Sequence, residues 1–584
     1  MCGIAGIAGP AGSVPDQGVL DRLADALAHR GPDGGGRHVA ANVGLVQTRL
    51  AIIDIEGGRQ PILDGEGRAI VANGEIYNYR ELRAGLPEAR FATGSDCEPP
   101  LHLYARDGSA FVESLRGMYA LALHDPGAGT LTLSRDPFGI KPLYVAEGAW
   151  GVAFASEAQA LVAAGLVAPK VSDRARNELL QMQFTCGADT IFEGIRRVLP
   201  GETLVVRDGR MVERRRREAL PTANAVDGGA DDLIRRLDAV LAESVEFHQR
   251  SDVPYGMFLS GGIDSAALLA LMARLNPHPV LAFTAGFPGT QARDERDHAR
   301  ALAARVGARH VEVEVSEGDF WALLPEVAAA MDDPAADYAC LPTFKLAREA
   351  RREVKVILAG EGGDELFGGY GRYRAAMRPW PLARPMRRHG TFDGLDVLRA
   401  SPTGWRDRFA AAEAESRRPG RSRLQAAQAA DCADWLAHDL LTKADRCLMA
   451  NGVEGRVPFL DPAVAGFAFP LADRWKVGKG LGKWLLRLWL EQALPEARPF
   501  DRKRGFTVPV AEWIAARPGI GALVARQPGI AEIARPEAVE ALFSRCDGKT
   551  GFACWTLLFY ALWHQRHIIG RRPEGDAFEA LAKA

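Results

Sequence analysis

The glycine pair in the stretch V-P-Y-G-M-F-L-S-G-G-I-D-S (253–265) marks a turn that can bind an anion. An apolar segment precedes the turn and apolar residues at helical spacing follow it, which predicts a strand, a turn at 260–262 and a helix. The first N–H groups of a helix have no intrahelical partner, and glycines let the backbone approach a phosphate. Asp264 would repel a polyphosphate unless a divalent cation lay between them, so magnesium is implied. The alternative is an ordinary turn in which Asp264 faces the helix dipole.

A second glycine-rich acidic motif, G-E-G-G-D-E-L-F-G-G-Y (360–370), follows an apolar segment at 354–359. Strands that alternate with helices form a parallel sheet, and ligands bind at the carboxyl ends of its strands. We therefore expect Asp264, Glu361 and Asp364 to converge on one edge of the sheet. Three unpaired carboxylates would repel one another, whereas magnesium and pyrophosphate would stabilise them.

A cysteine directly follows the initiator methionine in M-C-G-I-A-G-I. Removal of Met1 would give Cys2 a free α-amine, whose pKa near ~8 suits a general base for the residue's own thiol. Taken alone, Cys2 would be interpreted as an inert cysteine.

Four further motifs accompany Cys2, each with a polar residue beside a glycine or at a strand end. They are H-R-G-P-D-G (29–34), R-L-A-I-I-D (49–54), N-G-E-I-Y-N (73–78) and G-S-D-C-E (94–98). In this order, starting at residue 2, they resemble the class II glutamine amidotransferase domain, an N-terminal-nucleophile hydrolase.

The resemblance implies that Cys2 attacks the side-chain amide of glutamine, while Asn73 and the N–H of Gly74 form the oxyanion hole. Arg49 would pair with the α-carboxylate of glutamine, and Glu75 and Asp96 would hold its α-ammonium group. The implied glutamine contacts are Arg49, Ile52, Asn73, Gly74, Glu75 and Asp96.

The pattern of apolar residues changes along the chain. Segments 119–124 and 130–134 alternate apolar and polar residues around D-P-G-A-G, which predicts an antiparallel hairpin. From residue 231 onward, helices alternate with apolar strands at 279–287, 309–315 and 354–359. We therefore predict an α+β N-terminal-nucleophile hydrolase domain at 2–213, a linker at 214–230 that contains R-R-R-R-E, and an α/β domain with a parallel sheet at 231–572.

The second half resembles the ATP-pyrophosphatase synthetase domain of asparagine synthetase. Besides the two glycine-rich motifs, D-R-C-L-M-A-N-G-V-E-G-R-V-P-F-L-D (445–461) and R-K-R-G-F (502–506) carry the likeness. It implies magnesium ligands at Asp264 and Asp364, Lys503 against the phosphates, and Tyr370 and Glu454 at the acyl end. The implied ATP contacts are Leu259, Ser260, Gly261, Gly262, Asp264, Ser265, Ala285, Gly360 and Glu361.

A glutaminase and an acyl activator in one chain imply a relay. The synthetase half would transfer AMP to a carboxylate and release pyrophosphate, and ammonia from the first half would displace AMP. Ammonium ion has no lone pair, so a dry tunnel along the domain interface is expected.

Aspartate is the default acceptor of the family, but relatives amidate sugar acids or peptides or cyclise their substrates. Ala359 and the segments 182–188 and 283–287 depart from the usual family pattern, which keeps another acceptor open. A non-catalytic regulatory homologue is the third hypothesis. The presence of Cys2, Asn73 and the three carboxylates argues against it.

Composition sets the outer limits of function. A chain of 584 residues should hold two or more domains, and a net charge of −2 gives no general attraction to nucleic acid or membranes. The eight cysteines form no C-x-x-C pair, so we expect neither a zinc site nor a disulfide framework. The N-terminus lacks a basic signal-peptide region, so we expect a cytoplasmic enzyme. A homodimer is expected by analogy with the family.

Overall fold

Two six-stranded antiparallel sheets build the N-terminal half of the protein in the computed structural model, which describes residues 2–222, 226–292, 294–379, 384–501 and 507–583. Their strands are β1 (Cys2–Ala8), β2 (Gly34–Ala40), β3 (Val43–Arg49), β4 (Ile62–Leu63), β5 (Ala69–Ile76), β6 (Gly117–Asp125), β7 (Thr130–Arg135), β8 (Tyr144–Gly148), β9 (Gly151–Ala155), β10 (Ile195–Arg197), β11 (Glu202–Arg207) and β12 (Arg210–Arg216). The strand orders are β10-β8-β9-β1-β3-β2 and β12-β11-β7-β6-β5-β4.

Helices cover the outer faces of both sheets. They are α1 (Gln17–Ala26), α2 (Tyr79–Ala84), α3 (Pro99–Asp107), α4 (Ala158–Ala163) and α5 (Asp173–Met182). Successive side chains of a strand point to opposite faces. In β5, Val71 packs between the sheets, whereas Ile70 packs with Leu101 of α3. This arrangement of two sheets between helices confirms the predicted N-terminal-nucleophile hydrolase class.

The run of arginines at 214–216 does not lie in a linker. Arg214, Arg215 and Arg216 continue β12 and pair with β11 at the edge of the second sheet. Charged side chains are well tolerated there because an edge strand is exposed and charge discourages further strand pairing. The connection between the halves is therefore shorter at its start than the predicted linker, and α6 (Ala230–His248) begins where it ends.

A five-stranded parallel sheet, ordered β15-β14-β13-β16-β17, forms the centre of the C-terminal half. Its strands are β13 (Tyr255–Phe258), β14 (Leu281–Gly286), β15 (Arg309–Glu314), β16 (Val356–Leu358) and β17 (Glu454–Arg456), and a short hairpin adds β18 (Val477–Gly478) and β19 (Leu481–Gly482). All neighbouring strands of the large sheet run parallel, which confirms the predicted α/β architecture.

Helices pack on both faces of this sheet and continue to the C-terminus. They are α7 (Ile263–Leu275), α8 (Arg296–Arg305), α9 (Glu317–Ala330), α10 (Cys340–Ala350), α11 (Gly363–Phe367), α12 (Gly371–Ala376), α13 (Asp407–Ser416), α14 (Arg423–Ala433), α15 (Leu441–Met449), α16 (Pro462–Ala468), α17 (Asp473–Lys476), α18 (Trp484–Ala493), α19 (Val510–Ala516), α20 (Ile520–Ala525), α21 (Pro528–Ile533), α22 (Pro536–Ser544), α23 (Gly551–His567) and α24 (Ala577–Ala582). Within the described ranges, none of these helices combines the length and apolarity that a bilayer crossing requires.

The two halves share apolar cores. One buried cluster contains Leu20 of α1 together with Phe283 of β14 and Trp555 of α23. A second cluster runs from Leu50 and Ile52 in the first half to Leu259 and Leu366 in the second. The contact between the halves is therefore part of the core.

Candidate active sites

Cys2 begins β1, the strand that lies between β3 and β9. Its side chain is 6% exposed, and Gln47 Nε2 donates a hydrogen bond to Cys2 Sγ at 2.8 Å. The backbone N of Cys2 donates to Asn73 Oδ1 at 3.2 Å, and Arg30 Nε donates to the Cys2 carbonyl oxygen at 3.3 Å. Two neighbouring strands thus hold the thiol and the backbone N of Cys2 in place, and Arg30 holds its carbonyl oxygen.

Burial raises the pKa of the Cys2 thiol, although the charge of Arg49 and the hydrogen bond from Gln47 act in the opposite direction. A buried thiol with a raised pKa is protonated at neutral pH, and the thiolate is the reactive form. The site therefore needs a base close to Sγ, and an α-amine on Cys2 itself would be the nearest one.

Asn73 and Gly74 lie side by side in β5. Asn73 Nδ2 is buried and makes no hydrogen bond within the described residues. A buried amide donor without a partner is costly unless an acceptor arrives during function. A Cβ at Gly74 would lie 2.1 Å from the carbonyl oxygen of Met118, so only glycine fits there. Both features suit an oxyanion hole.

Arg49 and Ile52 are placed by the turn that follows β3. The guanidinium of Arg49 donates to the carbonyl oxygens of Ile55 at 2.7 Å and Asp54 at 2.6 Å. Ile52 is buried, and its carbonyl oxygen accepts a hydrogen bond from the backbone N of Asp252 at 3.0 Å. Arg49 is thus held close to Cys2, its partner in the register of β1 and β3.

Glu75, two residues after Asn73 in β5, forms a buried acidic pair with Asp96. Asp96 Oδ2 accepts a hydrogen bond from the backbone N of Ile76 at 2.8 Å, and Glu75 Oε2 has no hydrogen-bond partner within the described residues. Burial raises the pKa of both carboxyls, and the charge of Asp96 raises that of Glu75 further. An ammonium group placed here would relieve this repulsion.

The turn between β13 and α7 has the predicted geometry. Ser260 and Ser265 share a hydrogen bond of 3.0 Å between their hydroxyls, and Gly262 N donates to Ser260 Oγ at 3.2 Å. Leu259 N donates to the carbonyl oxygen of Phe283 in β14, two residues before Ala285. The turn is therefore fixed at the carboxyl ends of two adjacent strands.

An acidic side chain of the protein already lies on this turn. Gly261 N donates to Glu295 Oε2 at 3.0 Å, so a carboxylate oxygen stands where a phosphate oxygen could bind. This contact shows that the backbone N–H of Gly261 is directed towards an anion.

The carboxylates of Asp264 and Asp364 meet across one lysine. Lys483 Nζ contacts Asp264 Oδ2 and lies 2.7 Å from Asp364 Oδ1. Gly360 lies against Asp264, since a Cβ at Gly360 would be 2.9 Å from that of Asp264. The two loop motifs therefore converge at one edge of the sheet.

Two carboxylates fit a magnesium ion that arrives with phosphate oxygens, which is how proteins usually bind this ion. No cluster of three or more acidic, histidine or cysteine side chains suited to a metal occurs in the described part of the chain. Asp264 and Asp364 would therefore need phosphate oxygens to complete the coordination.

Glu361 lies half-buried beside this group, and its buried Oε2 has no hydrogen-bond partner within the described residues. Burial raises the pKa of its carboxyl, while the charge of Lys443 on α15 acts to lower it. Lys443 itself donates to Asp337 Oδ2 at 2.7 Å.

Tyr370 belongs to the same region. Its hydroxyl donates to Glu365 Oε1 at 2.6 Å, and its ring contacts both Arg372 and Trp435. Glu365 directly follows Asp364 in the chain. Tyr370 is therefore joined by one hydrogen bond to the residue next to Asp364.

Glu454 lies in a different environment from Tyr370. It begins β17, accepts from Arg456 Nε at 2.5 Å, and interacts electrostatically with Glu75 of the first site. Burial opposes its ionisation, but Arg456 and Lys141 lower the pKa of Glu454 to about 2. The structure thus groups Glu454 with Glu75 of the Cys2 site rather than with Tyr370. Lys503 lies outside the described residues.

Comparison with known proteins identifies the family of each half. Residues 236–565 match the family model described as Asparagine synthase, and residues 1–216 match the one described as Glutamine amidotransferase domain. A putative glutamine-hydrolysing asparagine synthetase of Mycobacterium tuberculosis is 36% identical over 97% of this chain and 97% of its own length. The chain belongs to the asparagine synthase family.

Other relatives in the asparagine synthase family span similar lengths. Glutamine-hydrolysing asparagine synthetase 1 of Bacillus subtilis is 32% identical over 97% of both chains. Asparagine synthetase B of Escherichia coli is 29% identical over 84% of this chain and 79% of its own length. The protein is therefore an enzyme of the glutamine-hydrolysing asparagine synthetase type, a ligase that forms a carbon–nitrogen bond.

Sequence reasoning missed several polar residues of these sites in the asparagine synthase fold. Gln47 stands two residues before Arg49 on β3, and this period-2 spacing could have placed it on the Cys2 side. Lys483 directly follows β19 and has a left-handed backbone conformation, with φ +59°. No local sequence pattern indicated that it would contact Asp264. Arg30 was noted only as a member of a motif.

Proposed function

We propose that the protein converts aspartate to asparagine, taking nitrogen from glutamine and using ATP to activate the acceptor carboxylate. The observation that supports this most directly is the pairing of two complementary sites across one buried interface. A cysteine site with an unsatisfied amide donor lies on one side, and an anion-binding turn with three acidic residues lies on the other. The names of the similar proteins favour aspartate as the acceptor.

In the glutamine step, the α-amine of Cys2, freed by removal of Met1, takes the thiol proton. The thiolate adds to the amide carbon of glutamine, and Asn73 Nδ2 and the N–H of Gly74 donate to the oxygen that becomes negative. The α-ammonium group of Cys2 returns its proton to the amide nitrogen, ammonia leaves, and water then hydrolyses the thioester to give glutamate and the free thiol. Arg49 would orient the α-carboxylate, with Glu75 and Asp96 on the α-ammonium group.

In the acceptor step, the side-chain carboxylate of aspartate attacks the α-phosphate of ATP, and pyrophosphate leaves. Ammonia then adds to the acyl carbon, and AMP leaves with the electron pair of the broken bond. The turn at 260–262 would bind phosphate oxygens, and Lys483 would neutralise charge beside them. Magnesium, held by Asp264 and Asp364, would add further neutralisation of the phosphates.

Ammonia must reach the acyl group before it is protonated. The apolar cluster that joins Leu50 and Ile52 to Leu259 and Leu366 lies along the contact between the halves, so a passage through it would be lined by apolar groups and would exclude water. A cytoplasmic location and a homodimer stay predictions from the sequence.

The test uses purified protein with ATP, magnesium and a panel of carboxylic acids that begins with aspartate. We expect pyrophosphate and glutamate in equal amounts with glutamine, and asparagine as product. Cys2→Ala should abolish glutamine use but keep ammonia-dependent synthesis, whereas Asp264→Asn should stop synthesis from either nitrogen source.

Three results would decide against parts of the proposal. Pyrophosphate release with a sugar acid and none with aspartate would assign another acceptor. Loss of the same activities in both variants would contradict the assignment of two separate sites. Failure of every acid in the panel to elicit pyrophosphate release would remove the proposed activity.

A further inference from the structure

Arg30 connects the nucleophile to the opposite half of the protein. It ends the one-turn helix Ala28–Arg30 and is 0% exposed. Its Nε donates to the carbonyl oxygen of Cys2 at 3.3 Å. Its Nη1 and Nη2 donate to the two carboxylate oxygens of Asp445 at 2.8 and 3.0 Å. One guanidinium thus joins the backbone of Cys2 to α15 of the synthetase half.

The Arg30–Asp445 pair is bidentate and charge-assisted, which is the strongest hydrogen-bonding arrangement available to an arginine. The charge of Arg30 also lowers the pKa of the Asp445 carboxyl, despite its burial. The remaining contact of Arg30 Nη1 is to Glu157 Oε1 at 2.8 Å, within its own half. Asp445 is therefore the partner that fixes the plane of the guanidinium from the synthetase side.

The helix that carries Asp445 also reaches the synthetase site. Lys443 lies two residues earlier on α15, and its charge acts on Glu361. Two residues on an α-helix are separated by about 200°, so Lys443 and Asp445 point to opposite sides. One face of α15 thus carries Lys443, which donates to Asp337 and acts electrostatically on Glu361, and the other face carries Asp445, which bonds the arginine behind Cys2.

We propose that Asp445 is a positioning residue for Cys2, and that α15 links the state of the synthetase site to glutamine hydrolysis. Asp445 fixes the guanidinium of Arg30, and Arg30 Nε in turn holds the carbonyl oxygen of Cys2. This contact keeps the Cys2 thiol aligned with Asn73. A ligand that displaces Lys443 shifts α15 and changes this alignment. The link rests on the proposed function, because it requires both sites to be active.

The size of the expected effect follows from geometry. A displacement of about 1 Å at a reacting atom lowers a catalytic rate by up to ~100-fold. Asp445 contacts none of the residues assigned to glutamine, so its loss should change kcat for glutamine hydrolysis more than KM.

The test compares Asp445→Asn with a matched control, Asp333→Asn, in the full-length protein. Asp333 also forms a buried ion pair between the halves, with Arg197 Nε at 2.6 Å, and none of its hydrogen bonds reaches Arg30 or Cys2. Glutamate release is measured at several glutamine concentrations, with and without ATP and acceptor acid, together with ammonia-dependent pyrophosphate release.

For Asp445→Asn we expect kcat for glutamine hydrolysis to fall about tenfold to 100-fold, KM to change less than threefold, and any response to ATP and acceptor to disappear. Ammonia-dependent synthesis should stay within threefold of the wild type. Asp333→Asn should keep wild-type glutamine kinetics.

Equal loss of glutaminase activity in both aspartate variants would reduce Asp445 to a structural role and overturn the proposal. So would a rise in KM alone, or wild-type kinetics in Asp445→Asn. Arg30→Lys provides a second variant if Asp445→Asn does not fold. Lysine keeps the charge beside Asp445 but cannot bond both Asp445 oxygens and Cys2 in the same geometry, so the same fall in kcat is expected. A wild-type protein without pyrophosphate release would instead indicate failure of the proposed function.

Discussion

Glu365 illustrates how burial and a neighbouring charge set the protonation of a single residue near the synthetase site. Its carboxyl is 1% exposed and accepts a hydrogen bond from Tyr370. Burial, followed by the charge of Asp364, raises the pKa of Glu365 to about 7 from an ordinary value of 4.5. Between pH 4.5 and about 7, the folded protein therefore keeps a proton on Glu365 that the unfolded chain releases.

The substitution Glu365→Gln should remove this pH dependence. In the wild type, the contribution of Glu365 to stability is fully present below pH 4.5 and is lost as pH rises to about 7. The free energy of unfolding of the variant, relative to the wild type, should therefore increase by roughly 3 kcal/mol between the two ends of this window. Urea denaturation at pH 5 and pH 8, at constant ionic strength, measures the difference. An identical difference at both pH values would contradict the raised pKa.

Individual residues also show where sequence reasoning ends. The loop residues Asp264 and Asp364 could be placed together because each follows a strand of one parallel sheet. Arg30 and Asp445 could not be placed together, because they are 415 residues apart in the chain and neither motif indicates which residue it would contact. Hydrophobic periodicity indicates which face of an element is buried, but it does not indicate which polar side chain lies opposite.

At the scale of elements, β5 has to pass very close to β6 for Asn73 to reach Cys2. The glycine at 74 permits this approach, because a Cβ there would be 2.1 Å from the carbonyl oxygen of Met118 and 2.6 Å from the Cα of Tyr119. Any side chain at this position must push the two strands apart.

Gly74→Ala should therefore lower glutaminase activity about 100-fold by displacing Asn73, and should destabilise the protein by about 1–3 kcal/mol. Ammonia-dependent synthesis, which uses the other half, should persist. Gly65→Ala is the matched control in the turn before β5, where a Cβ meets nothing within 4 Å. Steady-state glutamate release and thermal melting measure both effects. Equal behaviour of the two alanine variants would contradict the close approach.

Most elements could be predicted from local pattern. The buried strands and the helix after 260–262 appear close to their expected positions, because apolar runs bounded by glycine or proline define them. The arginines at 214–216 were predicted to belong to a linker, because the basic run is short and stands near Pro221 and Gly228-Gly229. They instead extend β12 at the exposed edge of the sheet, where charged side chains are tolerated.

At the scale of the whole molecule, the two halves depend on each other for stability. They share two apolar clusters and several fully buried ion pairs, including Arg30 with Asp445 and Arg197 with Asp333. Breaking such a pair leaves an uncompensated buried charge, which costs about 3–5 kcal/mol.

We therefore expect one calorimetric unfolding transition for the intact chain, with equal calorimetric and van't Hoff enthalpies. ATP with magnesium should raise the temperature of that single transition, including the part of the signal that arises from the N-terminal half. Tryptophan fluorescence and far-UV circular dichroism, followed in the same scan, provide the comparison. Two resolved transitions, with only one sensitive to nucleotide, would show that the halves unfold independently.

The contact between Gly261 and Glu295 has a consequence for affinity. A tethered competitor is present at a high local concentration whatever the amount of protein in solution. A nucleotide that binds this turn, as proposed, would have to exchange with that carboxylate. The apparent dissociation constant for ATP would then be larger than the intrinsic dissociation constant of the bare loop for phosphate.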